Sequence, residues 1–328
     1  MPRVSVIILN WNGKKFLKEC LESLAAQAFR DFETVLLDNG SQDGSVAYLC
    51  EAFPWVRVIE LPENIGFAAG NNRALTECCG NYVVTLNNDT KVHPDFLVEL
   101  LQAVESDSSI GMVAAKMLNF YETGRIDSVG ISVAANGMGH NIGVGEQDYG
   151  QYDAPAEVFG PCAGAALYRR KMLDETGFFD PDFFAYYEDL DLAWRCRLAG
   201  WRCVTAPHAI VHHVHSATAG RMSAFTVFHI HRNKWYAIIK NWPLELLLRH
   251  LPRILAYDVA SVILAALRGR LVPALKARLQ VLVKISVLLV RRREVAILRR
   301  IGAGEISRLL DTGGSLLKIF KRKMGAGV

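Results

Sequence analysis

Short apolar runs alternate with helix-like segments over the first hundred residues, and this alternation restricts the fold more than any other feature. The runs have the length and β-branched character of buried strands and lie at positions 4–9, 33–37, 56–61 and 82–86. Between the first two, apolar side chains recur at helical spacing: Phe16, Leu17, Cys20, Leu21 and Leu24. Strands and helices that alternate through short connections predict an α/β fold with a mostly parallel sheet. No G-x-G-x-x-G follows the first strand, which disfavours a dinucleotide-binding dehydrogenase.

The fourth apolar run, Tyr82 to Leu86, ends abruptly in Asn87-Asn88-Asp89. Ligands of α/β proteins bind in the crevice beyond the carboxyl ends of the strands. Two amides and a carboxylate at that point suit an oxygen-ligated cation such as Mg²⁺ or Mn²⁺, which shares its ligands with phosphates. Asn and Asp are also common turn residues, so a plain strand-to-turn junction explains the segment equally well.

The regular pattern stops between residues 119 and 157, a stretch rich in Gly, Asn and Tyr that predicts hairpins and a substrate loop around 137–150. Further on, the aromatic residues of segment 183–187 precede three acids, Glu188, Asp189 and Asp191, at the start of a predicted helix. The helix dipole favours acids in a first turn. Burial among aromatic rings would instead raise the pKa of one acid toward that of a general base. The residues alone leave both interpretations open.

Histidines and cysteines give weaker signals. Four histidines lie close together: His208, His212, His213 and His215. Each could be a metal ligand or a hydrogen-bond donor to phosphate, or could simply pack against the protein or face solvent. The seven cysteines include no C-x-x-C pair and no zinc-like spacing, and no signal peptide begins the sequence. This pattern predicts reduced thiols in a cytoplasmic protein.

The last 88 residues differ in charge from the rest of the chain. Residues 241–328 hold 17 Lys and Arg against 5 Asp and Glu, a net of +12, so the first 240 residues carry −8 of the total of +4. This tail is rich in Leu, Ile and Val, but Arg, Lys and Asp interrupt every window of the roughly 18–20 uncharged apolar residues that a spanning helix needs. The sequence therefore predicts helices that do not cross a membrane.

An amphipathic interpretation of the tail fits better. Lys276, Gln280 and Lys284 form one stripe of a helix, and Leu275, Leu279, Leu282 and Val283 cover the other side. Basic clusters at 291–293 and 321–323 would add attraction to an anionic membrane surface. The competing interpretation is a homo-oligomerisation bundle with solvated basic faces. Nucleic acid is disfavoured because base-stacking aromatic residues are almost absent from the tail.

Several motifs in the same order resemble those of the family-two inverting glycosyltransferases of the GT-A fold, especially the rhamnosyltransferase-like bacterial members. The likeness covers about residues 3 to 240 and rests on VSVIILNWNG, LLDNGSQDGS, NIGFAAGNN, LNNDT, GAALYRR, FFAYYEDLDLAWR and the pair His212-His213. It implies a GT-A sandwich with a mixed, mostly parallel sheet and C-terminal amphipathic helices. The implied divisions are a catalytic domain at 1–240, with a nucleotide-sugar half at 1–118 and an acceptor half at 119–240, and a basic helical tail at 241–328.

The resemblance also implies roles for individual residues. Asp38 is expected to contact the base of a nucleotide-diphosphate sugar, a dTDP- or UDP-sugar, and the other expected donor-binding residues are Asn10, Asn12, Asn71, Asn87 and Asn88. Asp89 matches the metal-binding acid of the family's D-x-D motif, in which Asn87 replaces the first acid. His213, with His212 as the register alternative, is expected to complete a site for Mg²⁺ or Mn²⁺.

The E-D-x-D segment of the family maps onto Glu188 to Asp191, and the resemblance assigns the catalytic base to Asp189. The residues expected on the acceptor side or behind the base are Glu188, Asp191, Tyr187 and Arg195, with Arg195 expected to pair with a carboxylate of this cluster. The sequence thus predicts an inverting glycosyltransferase, peripheral on the inner face of the cell membrane, acting on a lipid-linked or cell-envelope glycan. The alternatives are an inactive sugar-nucleotide-binding or membrane scaffold and a nucleotidyltransferase, which should show a Gly-rich basic first loop.

Overall fold

The computed structural model describes residues 1–214 and 223–311. The predicted basic cluster at 321–323 and His215 lie outside these ranges. The strands are β1 (Val4–Asn10), β2 (Phe32–Asn39), β3 (Arg57–Leu61), β4 (Tyr82–Asn87), β5 (Thr90–Val92), β6 (Ile110–Asn119), β7 (Ile126–Ser128), β8 (Ile131–Ala134), β9 (Gly139–Asn141), β10 (Ala165–Arg169), β11 (Arg202–His213) and β12 (Leu310–Asp311).

The helices follow the alternation that the sequence predicts, and a short 3₁₀ turn at Pro181–Phe183 precedes α6. They are α1 (Lys14–Ala25), α2 (Ser45–Ala52), α3 (Phe67–Leu75), α4 (Phe96–Glu105), α5 (Arg170–Thr176), α6 (Glu188–Leu198), α7 (Ala224–Asn241), α8 (Leu244–Leu267), α9 (Leu271–Val283), α10 (Ile285–Leu298) and α11 (Ala303–Arg308).

The main sheet has the order β3-β2-β1-β4-β10-β6-β11-β5, and β7 pairs with β6. Strands β3, β2, β1 and β4 are parallel, β10 is antiparallel to both of its neighbours, and β6 and β11 are parallel again. Apolar side chains are buried on both faces of this sheet, in two separate core clusters. The predicted mixed α/β sheet with C-terminal helices is therefore confirmed.

Strand β11 has 12 residues and includes a proline. It continues to His213, with its register against β6 shifted between Ala206 and Ile210. Pro207 lies inside that irregular part, where a residue that lacks a backbone N–H does not break the ladder. The extension brings His213 beside Thr90 of β5 and Asn119 of β6.

The tail helices pack against α7, and the chain then returns to β8. Leu310 and Asp311 of β12 pair in parallel with Val133 and Ala134 of β8, which forms a three-stranded sheet with β9. Trp242, Ile254 and Val295 belong to the same core cluster as β1 and β2. The tail thus shares a core with the body of the molecule.

Apolar side chains of the tail also remain exposed. On α9 the face packed inward carries small residues, Ala274 and Ala277, whereas the predicted apolar stripe is about half exposed or more: Leu275, Leu279, Leu282 and Val283. Helix α8 is long and apolar enough to cross a membrane by length and composition, although the sequence prediction excluded such a segment. One face of α8 is polar, because Asp258 accepts hydrogen bonds from Lys234, Trp235 and Arg278.

Candidate active site

The carboxyl ends of β1, β2 and β4 meet, and three predicted donor-binding residues converge there. Because the register pairs Asn10 with Asp38, the Asn10 Nδ2 amide donates to Asp38 Oδ2 at 2.8 Å. Asn88 Nδ2 donates to Asn10 Oδ1 at 2.7 Å, and the Ser41 backbone N–H donates to Asp38 Oδ1 at 2.8 Å. Asn10 and Asp38 are almost completely buried. The hydrogen bonds fix the orientation of the Asp38 carboxylate at the strand end.

Two other residues predicted to bind the sugar donor, Asn12 and Asn71, lie at different positions around this network. Asn12 has a positive φ of 50°, and its Oδ1 accepts from the Gln42 backbone N–H at 2.8 Å. It therefore links the turn after β1 to the turn after β2. Asn71 is buried in α3, where its Nδ2 donates to the Phe67 carbonyl of the same helix.

The end of β4 and the end of β11 bring Asp89 and His213 together. His213 Nε2 lies 3.3 Å from Asp89 Oδ1 and 3.2 Å from Asn87 Nδ2. The other ring nitrogen, Nδ1, lies 2.6 Å from Oδ2 of Asp127, a residue of β7 that the sequence did not single out. Burial disfavours the charged ring, but the hydrogen bonds to Asp127 and Asp89 outweigh that effect and raise the pKa of His213 to about 9.

His212, the register alternative, lies on the opposite side of β11, as the alternation of side chains along a strand requires. Burial, with Lys91 and His93 nearby, lowers its pKa. His208 is exposed. Among the histidines singled out from the sequence, His213 is the one that the described ranges place against Asp89.

The Asp89 and His213 pair fits a divalent cation in spacing. Two ligands at roughly 2.1 Å from one ion, about a right angle apart, lie ~3 Å from each other. Within residues 1–214 and 223–311 there is no cluster of three or more His, Cys, Asp and Glu side chains that could hold a metal. Further ligands would thus have to be oxygens of the bound diphosphate, water or the Asn87 amide. A cleft of about 390 Å³ opens beside Asp89, with Lys15, Glu19 and Phe120 in its walls.

The loop before α6 has an unusual backbone. Phe184, Tyr186 and Tyr187 have positive φ angles of 64°, 68° and 70°, a region that costs a residue with a side chain about 1–3 kcal/mol. Asn233 of α7, fully buried, holds this loop: its Nδ2 lies 2.6–2.9 Å from the carbonyl oxygens of residues 183, 185 and 186. The side chain of Tyr187 accepts from the Gly139 N–H through its hydroxyl at 3.3 Å.

Asp189 and Glu188 are adjacent but have different surroundings. Asp189 accepts hydrogen bonds from the backbone N–H groups of Leu190, at 2.7 Å, and Ala163, at 3.2 Å. Oε2 of Glu188 is buried and has no hydrogen-bond partner in the part of the chain that the structure describes. Burial raises the pKa of both groups, and for Glu188 the neighbouring Asp189 charge raises it further. Of the two carboxyls, Glu188 therefore has the pKa that is raised further.

A three-residue segment connects the two groups of side chains. Ala163 donates its N–H to Asp189, while the next residue, Gly164, accepts from the Asn87 N–H at 2.9 Å. Burial and then Asp189 raise the pKa of the Cys162 thiol, with smaller contributions from Asp127 and Glu188. The carboxylate of Asp189 and the end of β4 thus flank the segment 162–164.

Asp191 and Arg195 belong to a buried ion network. Asp191 is fully buried and accepts from Arg195 Nε at 3.0 Å, Lys240 Nζ at 2.9 Å and Asn241 Nδ2 at 2.7 Å. These contacts lower the pKa of its carboxyl against the effect of burial. Arg195 also donates to the carbonyls of Thr176, Gly177 and Phe178. The pairing expected for Arg195 with a cluster carboxylate is present, and both residues fix α6 to α5 and α7.

Two residues at the site were missed from the sequence. Asp127 lies in the irregular stretch 119–157, where no motif or period marks it. Asn233 lies on a helix whose buried positions include polar residues, among them Arg232, Lys234 and Lys240. Such polar positions on a helix that must pack on both sides are the one signal that could have indicated Asn233.

Comparison with known proteins shows the family and the fold of this chain. The family model described as "Glycosyl transferase family 2" matches residues 5–177. An N-acetylglucosaminyl-diphospho-decaprenol L-rhamnosyltransferase of Mycobacterium tuberculosis is 26% identical over 66% of this chain and 77% of its own length. The O-antigen biosynthesis protein RfbC of Myxococcus xanthus is 27% identical over 65% of this chain. The match spans only 17% of that protein, and 25% of another curated relative, so these relatives are much longer.

Among solved structures, the mannosyltransferase PcManGT from Pyrobaculum calidifontis, in complex with GDP-Man and Mn²⁺, has a TM-score of 0.54. It is 20% identical, and the match covers 90% of this chain and 86% of that one. At that identity the likeness shows the fold alone, and it agrees with the GT-A sandwich predicted from the sequence.

Proposed function

Because the chain belongs to glycosyl transferase family 2, we propose that it is an inverting hexosyltransferase that uses a nucleotide-diphosphate sugar. The proposed donor is a dTDP- or UDP-sugar carrying rhamnose or another hexose. The proposed acceptor is a lipid-linked or cell-envelope glycan, as the name of the Mycobacterium tuberculosis relative suggests.

The observation that carries this proposal is the environment of Asp189. Its carboxylate receives two backbone hydrogen bonds, is half-buried, and lies beside a second carboxyl that takes up a proton more readily. A partly desolvated carboxylate of raised pKa suits a general base near neutral pH. In the proposed reaction Asp189 takes the proton of an acceptor hydroxyl while that oxygen attacks the anomeric carbon. The diphosphate leaves from the opposite face, which inverts the configuration.

The residues at the strand ends are proposed to hold the donor. Asp38, fixed by Asn10 and Ser41, would accept from the nucleotide base, and Asn12 and Asn88 lie beside it. Asp89 and His213 would hold a divalent cation, with Asn87 close enough to contribute its amide. When bound, the cation would neutralise charge on the leaving diphosphate.

The exposed apolar faces of α8, α9 and α10 support a peripheral membrane location on the cytoplasmic side. They carry Leu248, Leu255, Ile263, Leu279 and Val290, among others, and basic residues lie on the same helices. A helix with Asp258 tied to Lys234 and Arg278 on one face fits a position in the interface better than one across the bilayer. The position would bring a lipid-linked acceptor to the enzyme.

The test is transfer by purified protein from a panel of dTDP-, UDP- and GDP-sugars to lipid-diphosphate acceptors. We expect Asp189→Asn to lower turnover by about 10²–10⁴-fold, because the general base is lost, with donor binding retained. The matched control is Asp174→Asn, an exposed acid of α5, which should keep the wild-type rate. Wild-type turnover by Asp189→Asn would refute the assigned base.

The alternative functions predict different results when nucleoside triphosphates are added to the panel. Metal-dependent nucleotide binding without turnover on any acceptor would favour an inactive binding or scaffold protein. Release of diphosphate from a nucleoside triphosphate would favour a nucleotidyltransferase, for which the first turn, Asn10 to Gly13, lacks the basic Gly-rich loop that would hold a triphosphate.

A further inference from the structure

We propose that Asp127 is a positioning residue for the cation site, which holds the His213 ring so that Nε2 is directed at Asp89. This inference rests on the proposed function, since it assigns a role toward the cation that Asp89 and His213 would bind. Asp127 lies outside every motif that carries the family resemblance.

Asp127 is in the middle of β7, 6% exposed, and β7 is held against β6 by antiparallel pairing. Its Oδ2 lies 2.6 Å from His213 Nδ1, the short distance of a charge-assisted hydrogen bond. Both partners are nine-tenths buried or more, so water does not compete strongly for either. The contact therefore fixes the plane of the ring.

The two nitrogens of an imidazole ring have separate tasks. When a carboxylate accepts the Nδ1 proton, Nε2 is the ring nitrogen that can release its own proton and bind a cation. Here Nε2 is the atom 3.3 Å from Asp89 Oδ1. Carboxylate–histidine pairs of this kind orient histidine ligands of metal ions and increase their basicity.

The position of Asp127 also gives a role to the stretch 119–157. The backbone ties this stretch to the end of β11, because Phe120 N–H donates to the His213 carbonyl at 2.9 Å. The Asp127 side chain makes the second connection. The stretch that was predicted to form hairpins and a substrate loop thus helps to build the cation site through one buried side chain.

The experiment measures Mn²⁺ binding to the full chain by electron paramagnetic resonance of free Mn²⁺, with UDP, dTDP or GDP present in turn. We expect Asp127→Ala and Asp127→Asn to weaken Mn²⁺ binding by about 10–100-fold. The Asn variant should also fail, because its amide can donate to Nδ1 and shift the ring proton to Nε2. In the transfer assay both variants should need more Mn²⁺, while kcat recovers at saturating Mn²⁺.

The matched control is Asp153→Asn. Asp153 lies in the same stretch and also forms an ion pair, with Lys116 Nζ at 2.7 Å. Its side chain is about half exposed, and within the described ranges it makes no hydrogen bond or ion pair with His213. It should bind Mn²⁺ like the wild type. Circular dichroism melting checks that each variant is folded.

The outcomes separate this inference from the proposed function. Wild-type Mn²⁺ affinity in both Asp127 variants overturns the role of Asp127 and leaves the cation site standing. If the wild-type protein binds nucleotide but does not bind Mn²⁺, both the cation site and the role of Asp127 are overturned. Sugar transfer and its dependence on Asp189 are measured independently. Weakened binding in the Asp127 variants alone supports the inference.

Discussion

Neighbouring carboxyl groups in this molecule have different pKa shifts because their hydrogen-bond partners differ. Asp189 has two backbone donors, Glu188 has an unpartnered oxygen within the described ranges, and Asp191 has three cationic or amide donors. Burial raises the pKa of the first two, and Lys240 and Arg195 lower that of the third. Three acids within four positions therefore have three different protonation behaviours.

His231 of α7 should make stability depend on pH. Burial, with Arg278 and Lys234 close by, lowers its pKa to about 4 from an ordinary 6.5. Because the folded pKa is the lower one, the unfolded chain binds the proton first. The contribution to stability is complete above pH 6.5 and is lost as the pH falls toward about 4. Between pH 7 and 5 the wild type should lose about 2 kcal/mol more than His231→Gln, measured by urea unfolding.

The control for this prediction is His208→Gln, which removes an exposed histidine and should leave the pH dependence of the wild type unchanged. Gln at position 231 retains an acceptor for Arg278, whose NH1 lies 3.1 Å from the histidine Nδ1. If His231→Gln and the wild type lost equal stability on acidification, burial of a neutral His231 would not be the cause.

At the scale of elements, α7 connects the loop before α6 to the tail. On one side Arg232 and Asn233 donate to the carbonyls of the loop before α6. On the other, Lys234 and Trp235 bind Asp258 of α8. A shift of the tail helices would therefore reach the positive-φ loop through a single rigid helix.

The exposed face of α8 gives a prediction about membranes. The triple variant Leu255→Ser, Val259→Ser, Ile263→Ser removes side chains that are 48%, 59% and 56% exposed. Because each inserted aliphatic side chain is worth about 1.5–3 kcal/mol, co-sedimentation with anionic phospholipid vesicles should fall by at least about tenfold. Each exposed substitution should change the free energy of unfolding by only about 0.5 kcal/mol.

Tyr149→Ser is the matched control for the vesicle experiment, since it removes an 86% exposed apolar residue that lies on none of these helices. It should sediment with vesicles like the wild type. Unchanged vesicle binding by the triple variant would contradict the proposal that this face of α8 binds a membrane. A wild-type dimer that the triple variant converts to monomer would favour the oligomerisation bundle instead.

The periodicity of the sequence predicts most elements but not their partners. The strands through β4 and the helices between them follow from apolar spacing, because the period of each element is contained in its own short segment of sequence. The continuation of β11 past Pro207 does not follow, because the register shift that accommodates Pro207 depends on β6, which is distant in sequence. The site divides in the same way: Asp89 and Asp189 are at predicted element ends, whereas Asp127 and Asn233 act through contacts that no local pattern encodes.

At the scale of the whole molecule, residues 1–240 and the tail share one hydrophobic core. A chain that ends after Asn241 would lose Trp242, Ile254 and Val295 from the cluster that also covers β1 and β2. Each large buried side chain is worth about 2–5 kcal/mol, and net stability is about 5–15 kcal/mol. We expect the truncated chain to be insoluble or to lack a cooperative unfolding transition by circular dichroism.

A pair of substitutions on α8 checks the same point without truncation. Ile254→Ala, at a fully buried position, should lower the free energy of unfolding by about 2–5 kcal/mol. Val259→Ala, exposed on the same helix, should change it by no more than about 0.5 kcal/mol. A soluble, cooperatively unfolding chain of residues 1–241 would show that the tail is a separate unit.

The pairing of β12 with β8 has a consequence for how the molecule is made. Leu310 is joined to Val133 across about half of the chain, and contacts between such distant residues form late and slow folding. Because a protein emerges from the ribosome with its N-terminal part first, the apolar surface under Trp242 and Ile254 stays uncovered until the tail helices have been translated. This core therefore closes only after those helices have been made, and a chaperone or a membrane that shields the surface would act during that interval.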